Sequence, residues 1–231
     1  MGLTKSRGNM YDWVTHMHTH LGGACPHRCS YCYVQAGVAK ISGKYVGPVR
    51  LLEKELSVNY GEGKTIFIEH MNDLFAYPGV WDLTIGAILG HVCRYPNNQY
   101  IFQTKNPARA WGYRHLFPPS YMIGTTIETN RDISVISKAP GPSARASGLA
   151  LFSGYGIKTF ITIEPILDFD VNVFPGLIVS AKPSFVNIGA DSKGCGLAEP
   201  SADKIIGLVE LLTFGGVVIR KKTNLSRILG N

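Results

Sequence analysis

Cys25, Cys29 and Cys32 fall at the spacing C-x3-C-x2-C within the run CPHRCSYCY, and Tyr31 directly precedes the last of them. A loop of that length can wrap three soft sulfur donors around one metal centre, and thiolates select zinc or an iron–sulfur cluster. Three ligands instead of four leave one iron of a cubane cluster unclaimed by protein and open to a small molecule. A structural zinc site ordinarily closes four ligands, commonly as two pairs. No second pair exists here, because Cys93 and Cys195 are single and far off. A disulfide framework fits poorly with five cysteines, 231 residues and an amino end that shows no apolar signal segment.

A second group of chemistry-bearing residues is His16, His18 and His20, which alternate. Alternation places all three on one side of an extended segment. There they either bind metal, as in zinc-dependent hydrolases, or line a pocket.

The elements that must position these residues read as strands alternating with helices, the signature of βα units around a parallel sheet. Strands are expected at 13–18, 65–70, 99–104, 121–127, 158–164, 184–189 and 216–220. Several are dense runs of Ile, Val and Phe, as strands buried on both faces require. Helices are expected at 48–60, 80–94, 107–115, 143–153, 171–181 and 201–214, the last opened by Ser201 and closed by Gly215. Cys93, among Ile88, Leu89 and Val92, is expected in the core. Seven strands fall short of a closed eight-stranded barrel. The fold class expected is therefore α/β: a partial (β/α)6 TIM-like barrel of parallel strands with room for one extra closing strand. Residues 1–231 are expected to form one domain, without repeats or linkers.

In such barrels the site lies at the carboxyl ends of the strands. The segments there are IEHMNDLF, QTKNP, TIETNRD, TIEPIL, NIGAD and RKKTN. Lys105 at a barrel mouth can hold a carboxylate or phosphate. Glu164 puts a carboxylate at the mouth, before the rigid turn of Pro165.

The cysteine spacing and its aromatic resemble the radical S-adenosylmethionine (SAM) superfamily. The strand-end segments resemble a group of small radical SAM proteins of phage and prokaryotic genomes, distantly similar to spore photoproduct lyase, a DNA-repair enzyme. The resemblance covers nearly the whole chain. It implies a [4Fe–4S] cluster on Cys25, Cys29 and Cys32, whose free iron chelates SAM. It also implies one-electron cleavage of SAM to a 5′-deoxyadenosyl radical that takes hydrogen from a substrate. Tyr31 would then border the adenine. Glu69, Asn72 and Asp73 stand where the superfamily receives the SAM amino group, although the usual glycine pair is missing. Thr126, Glu128 and Asn130, with Glu164 as the next candidate, would hold the ribose. Cys195, between Gly194 and Gly196, is the candidate thiol for returning a hydrogen atom to a product radical. An external electron donor of the flavodoxin or ferredoxin kind is implied as partner.

The net charge of +7 is unevenly placed. Lys5, Arg7, Arg28, Lys40, Lys44 and Arg50 face Asp12 alone in the first fifty residues, and Arg220, Lys221, Lys222 and Arg227 end the chain without an acid. Such patches attract polyanions and, with the distant lyase likeness, lean toward nucleic acid or a nucleotide as substrate, a peptide or small metabolite being the alternative. No uninterrupted apolar stretch of about 18 residues argues for a membrane span. The absent signal segment and reduced cysteines point to the cytoplasm, and nothing fixes an oligomeric state. The competing classes are a non-catalytic iron–sulfur electron carrier, which would want a fourth cysteine, and a zinc hydrolase built on His16, His18 and His20.

Overall fold

The computed structural model describes residues 2–38 and 42–230, so Lys40 lies outside the described residues. The strands are β1 (Thr4–Lys5), β2 (His16–His18), β3 (Leu21–Gly22), β4 (Arg50–Leu51), β5 (Thr65–Ile68), β6 (Gln99–Gln103), β7 (Tyr121–Thr126), β8 (Thr159–Ile163), β9 (Phe185–Ile188) and β10 (Val218–Lys221). The helices used below are α1 (Asp82–Cys93), α2 (Pro107–Gly112), α3 (Pro142–Gly154), α4 (Phe174–Ser180), α5 (Ala202–Phe214) and α6 (Ser226–Leu229). Eight strands form one sheet in the order β1-β2-β5-β6-β7-β8-β9-β10, and β3 pairs with β4 apart from it. β1 runs antiparallel to β2; every other neighbour pair in the large sheet is parallel. The expected partial barrel is thus present, each of its seven parallel strands at its expected place. The seventh, β10, extends the sheet beside β9 without closing it.

Alternation along the strands sorts side chains into two layers. Ile66, Ile68, Tyr100, Phe102, Ile123, Ile161, Ile163, Val186 and Ile188 face the helices and pack with Ile88 and Leu89 of α1, Leu149 and Phe152 of α3, and Leu208 and Leu212 of α5. On the concave face Phe67, Ile101, Met122, Phe160 and Phe185 form an apolar floor with Tyr11, Val14, Trp13 and Met17 from the entry segment. Gly124 belongs to this face for a steric reason. A Cβ there would sit 2.4 Å from the Phe160 ring, which lies across the strand.

The gap between the two ends of the sheet is bridged by side chains. Arg220 lies 5.8 Å from the Trp13 ring centroid and 4.1 Å from that of Phe185. Lys222 Nζ donates to the Asn9 carbonyl at 2.7 Å.

Three expectations need correction. Segment 48–60 is not a helix: Arg50 and Leu51 pair with β3, Leu52 N–H donates to the His20 carbonyl at 2.7 Å, and only a 3-10 turn follows at Glu53–Ser57. The helix expected at 107–115 stops at Gly112 and resumes as a 3-10 turn at Arg114–Leu116. Cys93 is exposed at the last position of α1, its thiol directed at the Leu116 carbonyl. The remaining helices match; Ser201 caps α5 by accepting from Lys204 N–H, and Gly215 ends it. No helix of the described residues is long and apolar enough to cross a membrane.

Candidate active site

The cysteine loop leaves β3 through Gly23, whose φ of +82° suits a residue without Cβ; a Cβ there would lie 2.0 Å from the Pro48 carbonyl oxygen. The loop is pinned from both sides. Gly23 and Ala24 N–H donate to the carbonyls of Lys44 and Gly47, and Ser30 N–H donates to the Ile136 carbonyl at 2.8 Å. Lys138 N–H donates to the His27 carbonyl at 2.7 Å. None of the three cysteines is in a disulfide. Cys29 Sγ lies 3.2 Å from Ser137 Oγ, and burial, with Asp73 adding to it, pushes the Cys25 thiol up. A thiolate in that setting needs a bound cation beside it.

Two buried carboxylates hold the loop from behind. Asp73 accepts from four groups: His27 Nε2 at 2.9 Å, Phe75 N–H at 2.9 Å, Thr104 Oγ1 at 2.7 Å and Lys105 N–H at 2.8 Å. Burial opposes its charge, but the His27 ring and these donors outweigh burial and hold it below the usual range. Glu128 is fully buried with Arg145 NH1 at 2.8 Å and Lys105 Nζ at 2.7 Å, and accepts from Tyr31 Oη. Burial pushes Glu128 up, yet Lys105 and Arg145 prevail and hold it at about 2. Burial and then Glu128 raise Tyr31, so the phenol keeps its proton and donates.

The loop and the strand ends enclose a cavity of about 1450 Å³. A polar layer lies on its apolar floor: Tyr11 Oη donates to Gln103 Oε1 at 2.7 Å and meets Thr162 Oγ1, while Gln103 Nε2 donates to Thr126 Oγ1 at 3.0 Å. One wall is Glu164, whose carboxylate takes Lys222 Nζ at 2.7 Å and both Asn9 Nδ2 and Asn224 Nδ2 at 2.8 Å. Arg7, Lys105, Lys193, Lys222 and Arg227 also line the space.

Cys25, Cys29, Cys32, Tyr31, Glu69, Asn72, Asp73, Thr126 and Glu164 all border this one cavity. Glu69 is largely committed elsewhere, accepting from His20 N–H and Nδ1 at 2.7 Å and from Leu21 N–H at 3.2 Å. Glu128, Asn130 and Cys195 are not among the lining residues. Asn130 instead donates to Asp170 Oδ2 and accepts from Asp170 N–H, both at 2.9 Å, on the outer side beside Arg131. Cys195 is half-buried between two glycines that do line the cavity. Burial and then Asp191, which accepts from its backbone N–H, raise its thiol.

The expected histidine trio is not formed. His16 and His18 point to the helix side of the sheet, His16 only reaches Thr15 Oγ1, and none of the three lines the cavity. Met17 takes the inward place. Sequence reading also missed Asn9, Tyr11, His27 and Arg145. Arg145 had no local signal, since it lies on α3, 17 residues beyond the carboxylate it neutralises.

Among the described residues only His18, His20 and His91 bring three metal-type donor atoms within 4.8 Å of one another. The three cysteine sulfurs do not all lie that close together. Three soft thiolate donors offered by one loop are the donor set of an iron–sulfur cluster.

No protein-family model and no curated protein matches the sequence. The chain does match solved structures. A variant of spore photoproduct lyase superposes with a TM-score of 0.62 at 11% identity, over 94% of this chain and 80% of that one. A lyase variant with bound AdoMet and dinucleoside spore photoproduct gives 0.56 at 13% identity, over 89% and 63%. A radical SAM methyltransferase from Sphaerobacter thermophilus gives 0.55 at 14% identity, over 92% and 67%. This chain spans 58% of a further lyase variant. The fold is that of radical SAM enzymes and resembles spore photoproduct lyase.

Proposed function

We propose that this chain is a radical SAM enzyme whose Cys25, Cys29 and Cys32 hold a [4Fe–4S] cluster at the barrel mouth. The observation that supports this reading is the convergence of three unpaired thiols from one loop on a single cavity at the strand ends. With the cluster and SAM bound, the chemistry supplied is reductive cleavage of SAM and hydrogen abstraction by the 5′-deoxyadenosyl group.

The chain's own residues then bind, orient and exclude water. Ser137 Oγ, 3.2 Å from the Cys29 sulfur, would donate to it once that sulfur is a thiolate, and hydrogen bonds to cluster sulfurs tune potential. Tyr31, fixed by Glu128, offers its ring to the adenine, with Lys105 Nζ 5.2 Å from its centroid. Asn72 and Asp73 are assigned to the SAM amino group and Thr126 and Glu164 to the ribose, an assignment supported by the four of them bordering the cavity. The apolar floor under Tyr11 closes the bottom against solvent. The cavity lining itself balances bases such as Lys222 with acids such as Glu164, so it is the unevenly placed net charge of +7 that favours a polyanionic substrate, nucleic acid or a nucleotide. Electrons come from a flavodoxin- or ferredoxin-like donor. Cys195 stays the candidate hydrogen donor beside that substrate, with the exposed Cys93 as its control.

Anaerobic reconstitution tests the reading. About four irons and four sulfides per chain are expected, with 5′-deoxyadenosine formed from SAM under a strong reductant and abolished by Cys29→Ala. Stoichiometric zinc on the cysteine loop, or an intact cluster that does not bind SAM, overturns it.

A further inference from the structure

On the helix side of the sheet, away from the cavity, His18, His20, His91 and Tyr60 form a closed cluster, each no more than 2% exposed. The ring centroids of His18 and His20 are 4.3 Å apart, and those of His20 and His91 5.0 Å. One nitrogen of each ring is held by a group that only accepts. His18 Nε2 lies 3.0 Å from Glu55 Oε2, His20 Nδ1 2.7 Å from Glu69 Oε1, and His91 Nε2 2.9 Å from the Val58 carbonyl. Those three nitrogens therefore carry the ring protons.

The other three nitrogens then present lone pairs, and they converge. His18 Nδ1 is 2.6 Å and His20 Nε2 3.1 Å from Tyr60 Oη, and His20 Nε2 is 2.8 Å from His91 Nδ1. Tyr60 has a single hydroxyl proton to share among them. Between His20 and His91 two lone pairs face each other at hydrogen-bond distance, so the centre lacks one positive charge. Either an extra proton or a metal cation supplies it.

We propose that a zinc ion occupies this centre, bound by His18 Nδ1, His20 Nε2 and His91 Nδ1 with the Tyr60 oxygen as fourth donor, its hydroxyl proton leaving to solvent as the metal binds. Three imidazoles suit zinc, and a buried, four-donor, closed site is the structural type. Glu55, Glu69 and Val58 hold the far nitrogens as the outer partners of metal-bound histidines do, fixing tautomer and ring orientation. Tetrahedral zinc with bonds of about 2.0 Å sets donors about 3.3 Å apart. His20 and His91 need to part by about half an ångström, and His18 and Tyr60 by about 0.7 Å. The ion would tie the end of β2 to α1 and to the turn carrying Glu55. Through Glu69 it would also fix a strand end that borders the cavity. Its role is structural, since the closed site leaves no place for a substrate.

The test uses the full chain with Cys25→Ala, Cys29→Ala and Cys32→Ala, so that no thiol site competes. After dialysis against zinc and desalting, about one zinc per chain is expected, and adding His91→Gln should lower it about tenfold or more. Because a buried substitution can disturb folding, the chain with His91 intact is also titrated with cobalt(II). Tetrahedral ligand-field bands without thiolate charge transfer are expected at one equivalent, and a chelator should lower Tm reversibly. Zinc far below one per chain, zinc undiminished in His91→Gln, or no cobalt spectrum overturns the proposal and leaves a shared proton in the centre.

Discussion

Glu128 and Glu164 follow neighbouring parallel strands, and their surroundings differ in kind. Glu128 is wholly enclosed and saturated by Arg145, Lys105 and Tyr31. Glu164 keeps 15% of its side chain exposed and borders the cavity, with Lys222, Asn9 and Asn224 around it. A carboxylate saturated by buried cations shapes a site by fixing its neighbours, here Tyr31 of the cysteine loop. A carboxylate with one face on the cavity is available to a ligand.

The sharpest way to break this contrast is Arg145→Met. It strands Glu128 in the interior and should cost about 3–5 kcal/mol in denaturant unfolding, as loss of one partner of a buried pair does. A cost under about 1 kcal/mol would mean that the pair is not a structural anchor.

Acid titration comes next. Glu128 has its carboxyl at about 2 in the fold against an ordinary 4.5. The folded value is the lower one. Its contribution, about 3 kcal/mol, is therefore complete above pH 4.5 and is lost as pH falls toward 2. The difference in pH dependence between wild type and Glu128→Gln over that window reads it directly, and identical profiles would refute it.

Glu164→Gln should leave stability nearly unchanged yet lower SAM affinity about tenfold by equilibrium binding, the loss of one good hydrogen bond to a ligand. The smallest effect is expected at Asn130→Ala, whose SAM affinity should stay within about 0.5 kcal/mol of wild type. If Asn130 matters and Glu164 does not, the assignment of the two sides is reversed.

The sequence displays the parallel strands because Thr65–Ile68 and Thr159–Ile163 are buried on both faces, leaving dense β-branched and aromatic runs. The cysteine loop is equally plain, since its three thiols lie within eight residues of one another. The two-residue strands β1, β3 and β4 are too short to leave a period. Segment 48–60 mimics a helix because Leu51 and Leu56 pack on the core, the first from strand β4 and the second from the 3-10 turn. What sequence cannot show is direction across the fold. Nothing local says that Arg145 will reach Glu128, that His91 will replace His16 beside His18 and His20, or that Asp170 will engage both ends of the Asn130 amide. Those pairings follow from which helix covers which strand.

The side-chain seam between the ends of the sheet has a consequence for local opening. β8 has hydrogen-bonded neighbours on both sides and is buried throughout, whereas β10 pairs only with β9 and is mostly exposed. Its free flank is held by the Arg220 stack and the Lys222 contact to Asn9. Backbone groups in such a place open at a fraction of the global free energy. In native-state hydrogen exchange, the amides of Val218–Lys221 should therefore exchange through local fluctuation, long before those of Thr159–Ile163. Arg220→Ala should speed the first set and leave the second at its global rate.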